Sequence, residues 1–356
     1  MGRTKSWRRW LSIWPHLLAG PFTLASTLGY YIAPNPFPWL APLALAWPLF
    51  FLWHLGWTLL AASQLRLSAL LGLCILLLTW PQSQGWIHFN TESDQEGTFR
   101  LATWNVHQWR NANWTEPEVT EARMQQAALN LHADVLAIQE NRLNSGPQRS
   151  LEAYYPHHTA HVDQGLQIFS KYPIVAWNFE EFKAGYPGHR GFVWADIEGP
   201  HGRVRVVNVH LVTTTFVARE AEAESDSAGI STSLFRSAWR LTRTAKIRAQ
   251  QVDQLLAWAE QSDRPDLVWL GDFNDAPSSN TAFRMRHWTD AFTSRGRGFG
   301  STYAGLWGFP LRIDWILLEE DLHCVGMKRS IQGDSDHHPL WVDLISEPLR
   351  VDAELD

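Results

Sequence analysis

The chain has 356 residues, 45% of them hydrophobic, and a formal charge of −6 at neutral pH; it is too long for one small core and suits a sizeable domain with an appendage. The charge is split, because residues 1–80 hold Arg3, Lys5, Arg8, Arg9 and Arg66 and no acid, which leaves 25 basic against 36 acidic side chains, a formal −11, on the rest. A domain that acidic is not built for tight non-specific nucleic-acid binding, although a local basic groove is compatible with it. Of the two cysteines, Cys74 lies in the apolar part and Cys324 in the polar part. An intradomain disulfide is excluded, and the redox compartment stays open.

After the basic start come three apolar stretches, roughly Leu11 to Ala33, Trp39 to Ala62 and Leu65 to Trp80. About 20 apolar residues span a bilayer, so they predict three transmembrane helices, the first despite Pro15 and Pro21 and the third on the short side. Arg66 and the N-terminal cluster belong inside and the uncharged APNPFP turn outside. An odd number of crossings then delivers everything after Trp80 to the outer face, the periplasmic face of the inner membrane if the source is Gram-negative. Trp10, Trp14, Trp39, Trp80 and Trp86 near the segment ends fit interfacial positions. A cleaved signal peptide explains only one apolar region, not three.

Residues 81–97 are polar with scattered Gly and Ser and read as a linker. Phe99 to Val106 predicts a strand ending on Asn105 and His107. Thr115 to Glu118 reads as a capping box with proline in the first turn, opening a helix through His132. Ala133 to Gln139 predicts a buried strand that stops at Glu140. Strand, helix, strand, with a polar residue ending each strand, is α/β architecture presenting one edge. Residues 165–170 and 191–197 predict further strands, and 203–211 alternates before ending at Asn208 and His210. The segment 212–244 interrupts the pattern. Its acidic first half, with Glu220, Glu222, Glu224 and Asp226, and its basic second half, with Arg236, Arg240, Arg243 and Lys246 among aromatics, read first as a solvated insertion and second as a cover for substrate or anionic lipid. A helix over Ala245 to Glu260 follows, with Ile247, Val252, Leu255, Leu256 and Ala259 on one stripe.

That helix feeds the strand Leu267 to Gly271, which breaks into Asp272, Phe273, Asn274 and Asp275. Gly271 leaves room for backbone or ligand to come close, and Asp272 and Asn274, two apart on an extended chain, point the same way. A carboxylate beside a carboxamide suits a hard cation carrying a phosphoryl group. Alone, the same residues could equally close a strand as an Asx-turn. Ile313 to Leu318 predicts a strand with Asp314 near its start; burial of an unpaired carboxylate costs several kcal/mol, so Asp314 needs a partner, and His337 is the natural one. Ser335 to Pro339 leads into a last strand, Leu340 to Ile345. Residues 347–356 read as a tail.

In order, TWNVH, IQE, VNVHL, LGDFND, RIDWIL and SDHHP resemble the endonuclease/exonuclease/phosphatase superfamily, across roughly Thr98 to Ser346. The resemblance implies an α+β fold, a four-layer α/β/β/α sandwich, here preceded by transmembrane helices. It also implies a divalent-metal phosphoesterase site. By resemblance, Asn105, Glu140 and Asp336 match metal-binding positions, for Mg²⁺ with Mn²⁺ as the alternative. His337 matches the histidine acting on the attacking water or phosphate, Asp314 the aspartate orienting it, Asp272 and Asn274 the pair positioning water and a phosphoryl oxygen, and His210 a second histidine. His107 stands where some branches carry aspartate, leaving the number of metals open. His210 or Asn208 could steady a phosphate oxygen. The expected activity is hydrolysis of lipid or small phosphoesters outside the cytoplasm by a multi-pass membrane protein, with the phosphoester and the lipid bilayer as partners and no protein partner inferable. A membrane-tethered nuclease is the less favoured alternative, and a non-catalytic binding module on the same fold is the third.

Overall fold

The computed structural model describes residues 3–91, 99–111, 115–163, 165–186, 189–200, 202–214, 230–260, 264–304, 311–331 and 334–346. The chain divides into two units: 1–85 with 213–249 and 276–285, and 86–212 with 250–275 and 286–356. The acidic insertion half, the tail and the end of the predicted linker lie outside the described residues.

In the first unit the three apolar stretches are helical, but they are not three spans. α1 (Arg3–Tyr31) carries Pro15 and Pro21 inside it. The second stretch is split at Ala46 into α2 (Leu40–Leu45) and α3 (Trp47–Ser63), where a proline at the start of α3 cannot continue the preceding helix. α4 (Ser68–Leu78) has 11 residues, about 16 Å of helix. Among the described residues no helix is long and apolar enough to cross a membrane, so the expectation of three transmembrane helices is corrected: α2, α3 and α4 fall short in length, and α1, though 29 residues long, is not apolar enough. The unit buries several polar side chains and exposes many apolar ones. His16, Thr23, Ser26, His54 and Gln82 are buried, whereas Leu18, Phe22, Leu52, Leu59 and Leu77 are exposed. The buried groups bond across helices: Thr23 Oγ1 lies 2.8 Å from His54 Nε2, and Gln82 Nε2 donates to the Ser26 carbonyl at 3.3 Å.

Among the described residues the second unit contains β1 (Ile87–Phe89), β2 (Phe99–Asn105), α5 (Pro117–Asn130), β3 (Val135–Gln139), α6 (Gly146–Tyr154), β4 (His157–His158), β5 (Gln167–Ser170), β6 (Ile174–Tyr186), β7 (His189–Gly199) and β8 (Gly202–His210). α7 (Ile230–Ala259) passes from the first unit into the second, and α8 (Asn280–Arg284) belongs to the first. β9 (Asp266–Asp272), β10 (Thr289–Asp290), α9 (Ala291–Arg295), β11 (Arg297–Phe299), β12 (Asp314–Leu318), β13 (Leu322–Arg329) and β14 (Leu340–Ser346) complete it. Two six-stranded sheets result, ordered β10-β12-β9-β8-β7-β6 and β13-β14-β2-β3-β5-β4, and β1 pairs with β11 apart from them. The stretch read as a linker thus contains a strand.

Burial explains the layering. Leu101, Val135 and Ile168 from one sheet meet Val193, Val206 and Val268 from the other in a single core. The outer face of the second sheet packs Trp104, Leu136 and Ile138 against Met124 and Ala128 of α5 and Leu151 of α6. On the outer face of the first sheet, Trp258 of α7 meets Phe192 and Trp269 edge-on at 5.1 and 5.9 Å. This is the expected four-layer arrangement. Two local readings change: α7 begins at Ile230 rather than Ala245, so the basic half of the insertion is its first turns, and α5 is capped by Glu116 in a left-handed conformation with no side-chain bond, not by a Thr115 capping box.

The parallel pairs β2 with β3 and β8 with β9 are each joined by a helical crossover, which brings both strands of a pair out at the same edge. Gly271 fixes the second pair. Its φ is +134°, and a Cβ there would stand 2.1 Å from the Val209 carbonyl oxygen of β8; what comes close is backbone, not ligand. Gly271→Ala is expected to lower the unfolding free energy by about 3 kcal/mol, read from urea denaturation; unchanged stability would contradict this packing.

Candidate active site

Three neighbouring strands of the first sheet end at one level. The register sets His210 opposite Asp272 and Asp272 opposite Asp314. In the second sheet Asn105 closes β2 opposite Gln139, and Glu140 follows at once. β14 runs antiparallel to β2, so Asp336 and His337, just before its start, return to the same edge. Asn105, Glu140, His210, Asp272, Asp314, Asp336 and His337 thus stand at one edge.

The contacts are close. Asn105 Nδ2 donates to Glu140 Oε1 at 3.1 Å and to Asp272 Oδ2 at 3.0 Å. His210 Nε2 lies 3.6 Å from Asp272 and 3.8 Å from Glu140. His337 Nδ1 bonds Asp314 at 2.9 Å, and its Nε2 faces Asp272 at 3.7 Å. His107 Nδ1 stands 3.6 Å from Asp336. The backbone is strained here: His107, Gln108, Glu140 and Asn274 all have positive φ, a conformation that costs roughly 1–3 kcal/mol per residue and persists where the surrounding structure enforces it.

Electrostatics sharpen the roles. Burial pushes the Asp272 carboxyl up to about 7; His337 pulls it down and Asp314 adds to the rise. Burial would lower His337, but the Asp314 and Asp272 carboxylates outweigh it and raise the imidazole to about 10. Asp314 and Asp272 thus hold His337 toward its charged form, while burial holds the Asp272 carboxyl toward its neutral form.

Glu140, Asp272, Asp314 and Asp336 share this edge without a Lys or Arg ion pair among the described residues. Oxygen donors in excess of local positive charge are what Mg²⁺ or Mn²⁺ requires. Ligand atoms of Asp272, Asp314 and His337 lie within 4.8 Å of one another; the His337 nitrogen facing Asp314 is already hydrogen-bonded, however, and the Asp272 and Asp314 oxygens already accept from Asn105, Asn274 and His337. Glu140, with 30% of its side chain exposed against 1% for Asp272, is the carboxylate open to an incoming cation.

Some sequence readings shift. Asn105 turns its amide nitrogen to the carboxylates and its oxygen to the His107 N–H, bridging Glu140 and Asp272. Asn208 is withdrawn from substrate: its side chain donates to the Ile138 and Gln167 carbonyls and accepts from Gln139, tying the two sheets together. The Asx-turn is also present, since Asp272 Oδ1 accepts the Asn274 N–H, and Asn274 Nδ2 donates to the Leu211 carbonyl, leaving its oxygen for the site. The sequence reading missed the supports. Thr302 Oγ1 accepts the N–H groups of Ile313 and Asp314, Trp104 Nε1 donates to the His337 carbonyl, and the Tyr303 ring packs on His337 with centroids 5.0 Å apart. Thr302 and Tyr303 stand outside any apolar run, so no periodicity marks them.

The Endonuclease/Exonuclease/phosphatase family model matches residues 102–337. No curated protein matches the chain. Similar solved structures include an endonuclease/exonuclease/phosphatase from Bacteroides vulgatus, at 16% identity over 70% of this chain and 99% of that one with a TM-score of 0.50. Another, from Beutenbergia cavernae, is 19% identical over 71% and 72% with a TM-score of 0.49. A beta toxin variant from Staphylococcus aureus with bound magnesium ions is 18% identical over 70% and 99%, TM-score 0.49.

Proposed function

The chain belongs to the endonuclease/exonuclease/phosphatase family, whose members are in general metal-dependent hydrolases, and from that premise we propose that it hydrolyses phosphodiesters of lipids or small molecules at a bilayer surface. The observation that carries the reading is the meeting of Glu140, Asp272 and the His337–Asp314 pair at one sheet edge.

Glu140 and Asp336, with Asn105 beside them, would hold Mg²⁺ or Mn²⁺, which when bound supplies Lewis-acid neutralisation of the phosphoryl oxygens. The rest falls to side chains. His337, held charged and in one orientation by Asp314, bonds a phosphoryl oxygen as negative charge gathers there, with His210 on the adjacent strand as a second donor. Asp272 takes the proton from the attacking water, with the Asn274 carbonyl oxygen orienting it. A bond forms from the water oxygen to phosphorus as the bond to the ester oxygen breaks in line, and the departing ester oxygen leaves as the alcohol after taking a proton from solvent. No covalent intermediate is needed.

The bilayer part of the proposal is supported by the first unit, where polar side chains are buried and leucines exposed. In water that distribution forfeits the burial of apolar surface, whereas against acyl chains it is favourable.

The test uses the full chain with Mg²⁺ or with EDTA against bis-aryl phosphate, aryl monophosphate, plasmid DNA and sphingomyelin vesicles. Diester and lipid hydrolysis that stops on chelation is expected. No metal-dependent hydrolysis of any of the four would overturn the reading, and cleavage of DNA in preference to the others would replace its substrate class.

A further inference from the structure

Along the edge strand β13 lies an open cleft of about 660 Å³ whose charge is opposite to that of the acidic chain around it. Arg295, Arg297, Lys328 and Arg329 line it. Its acid, Asp343, is already engaged, because Arg100 donates to both of its oxygens at 2.6 and 2.9 Å. Arg295 Nε donates to the Cys324 carbonyl and Arg329 to the Ser301 carbonyl, both neutral acceptors. Burial holds the Arg329 guanidinium below its usual value with no carboxylate to offset it. Among the described residues neither Arg297 nor Lys328 has a carboxylate partner. Among the described residues the cations thus lack counter-charges, and the cleft begins beside the catalytic edge: Arg329 pairs in register with Leu340, three residues beyond His337.

The lip of the cleft is apolar. Phe89 and Phe299 on the β1–β11 ribbon are 80% and 58% exposed, and Ile331, two residues past β13, is 73% exposed. Large apolar side chains exposed next to cations, two on one ribbon and one just past the strand that carries Arg329, mark a contact surface. A nucleic-acid strand would stack on the two rings but has no use for the isoleucine. Cations at headgroup level with Phe and Ile beyond them suit the boundary between anionic headgroups and acyl chains.

We propose that the cleft and its lip dock the catalytic unit onto an anionic bilayer, the cations holding lipid phosphates and Phe89, Phe299 and Ile331 entering the acyl boundary. This rests on the reading of the domain as an enzyme of the bilayer surface and adds that the catalytic unit carries its own lipid contact.

The experiment measures partition of the full chain onto phosphatidylcholine vesicles and onto vesicles rich in phosphatidylglycerol, for wild type and for the double variant Arg297→Ala, Lys328→Ala. The ratio of anionic to neutral partition is expected to fall about 25-fold, at about fivefold per cation removed, while turnover of soluble bis-aryl phosphate is unchanged. A ratio equal to wild type overturns the docking surface. So does an unchanged ratio accompanied by lost binding of a single-stranded oligonucleotide, which assigns the cleft to nucleic acid. Partition is read without turnover, so failure of the docking surface and failure of the hydrolase reading are distinguished.

Discussion

Replacing His337 by alanine is expected to lower kcat by about 10³-fold while the affinity for Mn²⁺ stays within a few-fold of wild type. The magnitude follows from what the ring does. It is buried, its Nδ1 is held by Asp314 at 2.9 Å, and its other nitrogen faces Asp272 across 3.7 Å. An oriented donor aimed at developing charge in a water-poor site is worth about 10²–10³ in rate. A second effect adds to this: with the imidazolium gone, Asp272 loses a charge that pulls its carboxyl down, so less of it is ionised and free to take a proton at neutral pH. Glu140, the carboxylate proposed to meet the metal, makes no contact of its own with His337 among the described residues, so the cation should still bind. The variant should fold, because the loop is also held through the His337 backbone, whose N–H donates to Ser335 Oγ and whose carbonyl accepts from Trp104. Steady-state turnover of a bis-aryl phosphate checks the first part and calorimetric Mn²⁺ titration the second. A loss of less than tenfold would remove His337 from the chemistry.

What the sequence made legible follows from burial. Every strand interior to the two sheets was predicted: β2, β3, β5 and β14 in one, β7, β8, β9 and β12 in the other. Every edge strand, β4, β6, β10 and β13, was missed. An interior strand is covered by neighbours and by both layers, so it reads as an apolar run. An edge strand such as β6, with Glu180, Glu181 and Lys183, keeps solvent on one side and loses that signal. The site was legible for the same reason, since a polar residue that ends an apolar run is conspicuous: Asn105, Glu140, His210 and Asp272 all do so. Asn208 misled because it lies inside such a run, where its amide bonds the opposite sheet rather than a ligand. In the first unit hydropathy located the helices but not their ends, which are set by Pro42, Pro48 and the turn at Gln64.

Glu140→Gln is the second large effect. The substitution keeps the side chain's length and its ability to accept from Asn105, but removes the exposed negative charge that a divalent cation would meet first. Metal-dependent turnover is expected to vanish into background, a loss of about 10³-fold or more, with the far-ultraviolet circular dichroism and urea midpoint close to wild type. Stability should hold because the Glu140 carboxylate is partly exposed and makes one hydrogen bond with Asn105, so little buried structure depends on its charge.

Calorimetric titration of Mn²⁺ into wild type and Glu140→Gln, on the full chain, tests the convergence of these residues on one cation most directly. Saturable binding in wild type and its loss in the variant is the predicted result. Equal Mn²⁺ affinity in the two proteins would mean that the cation sits elsewhere and would contradict the site.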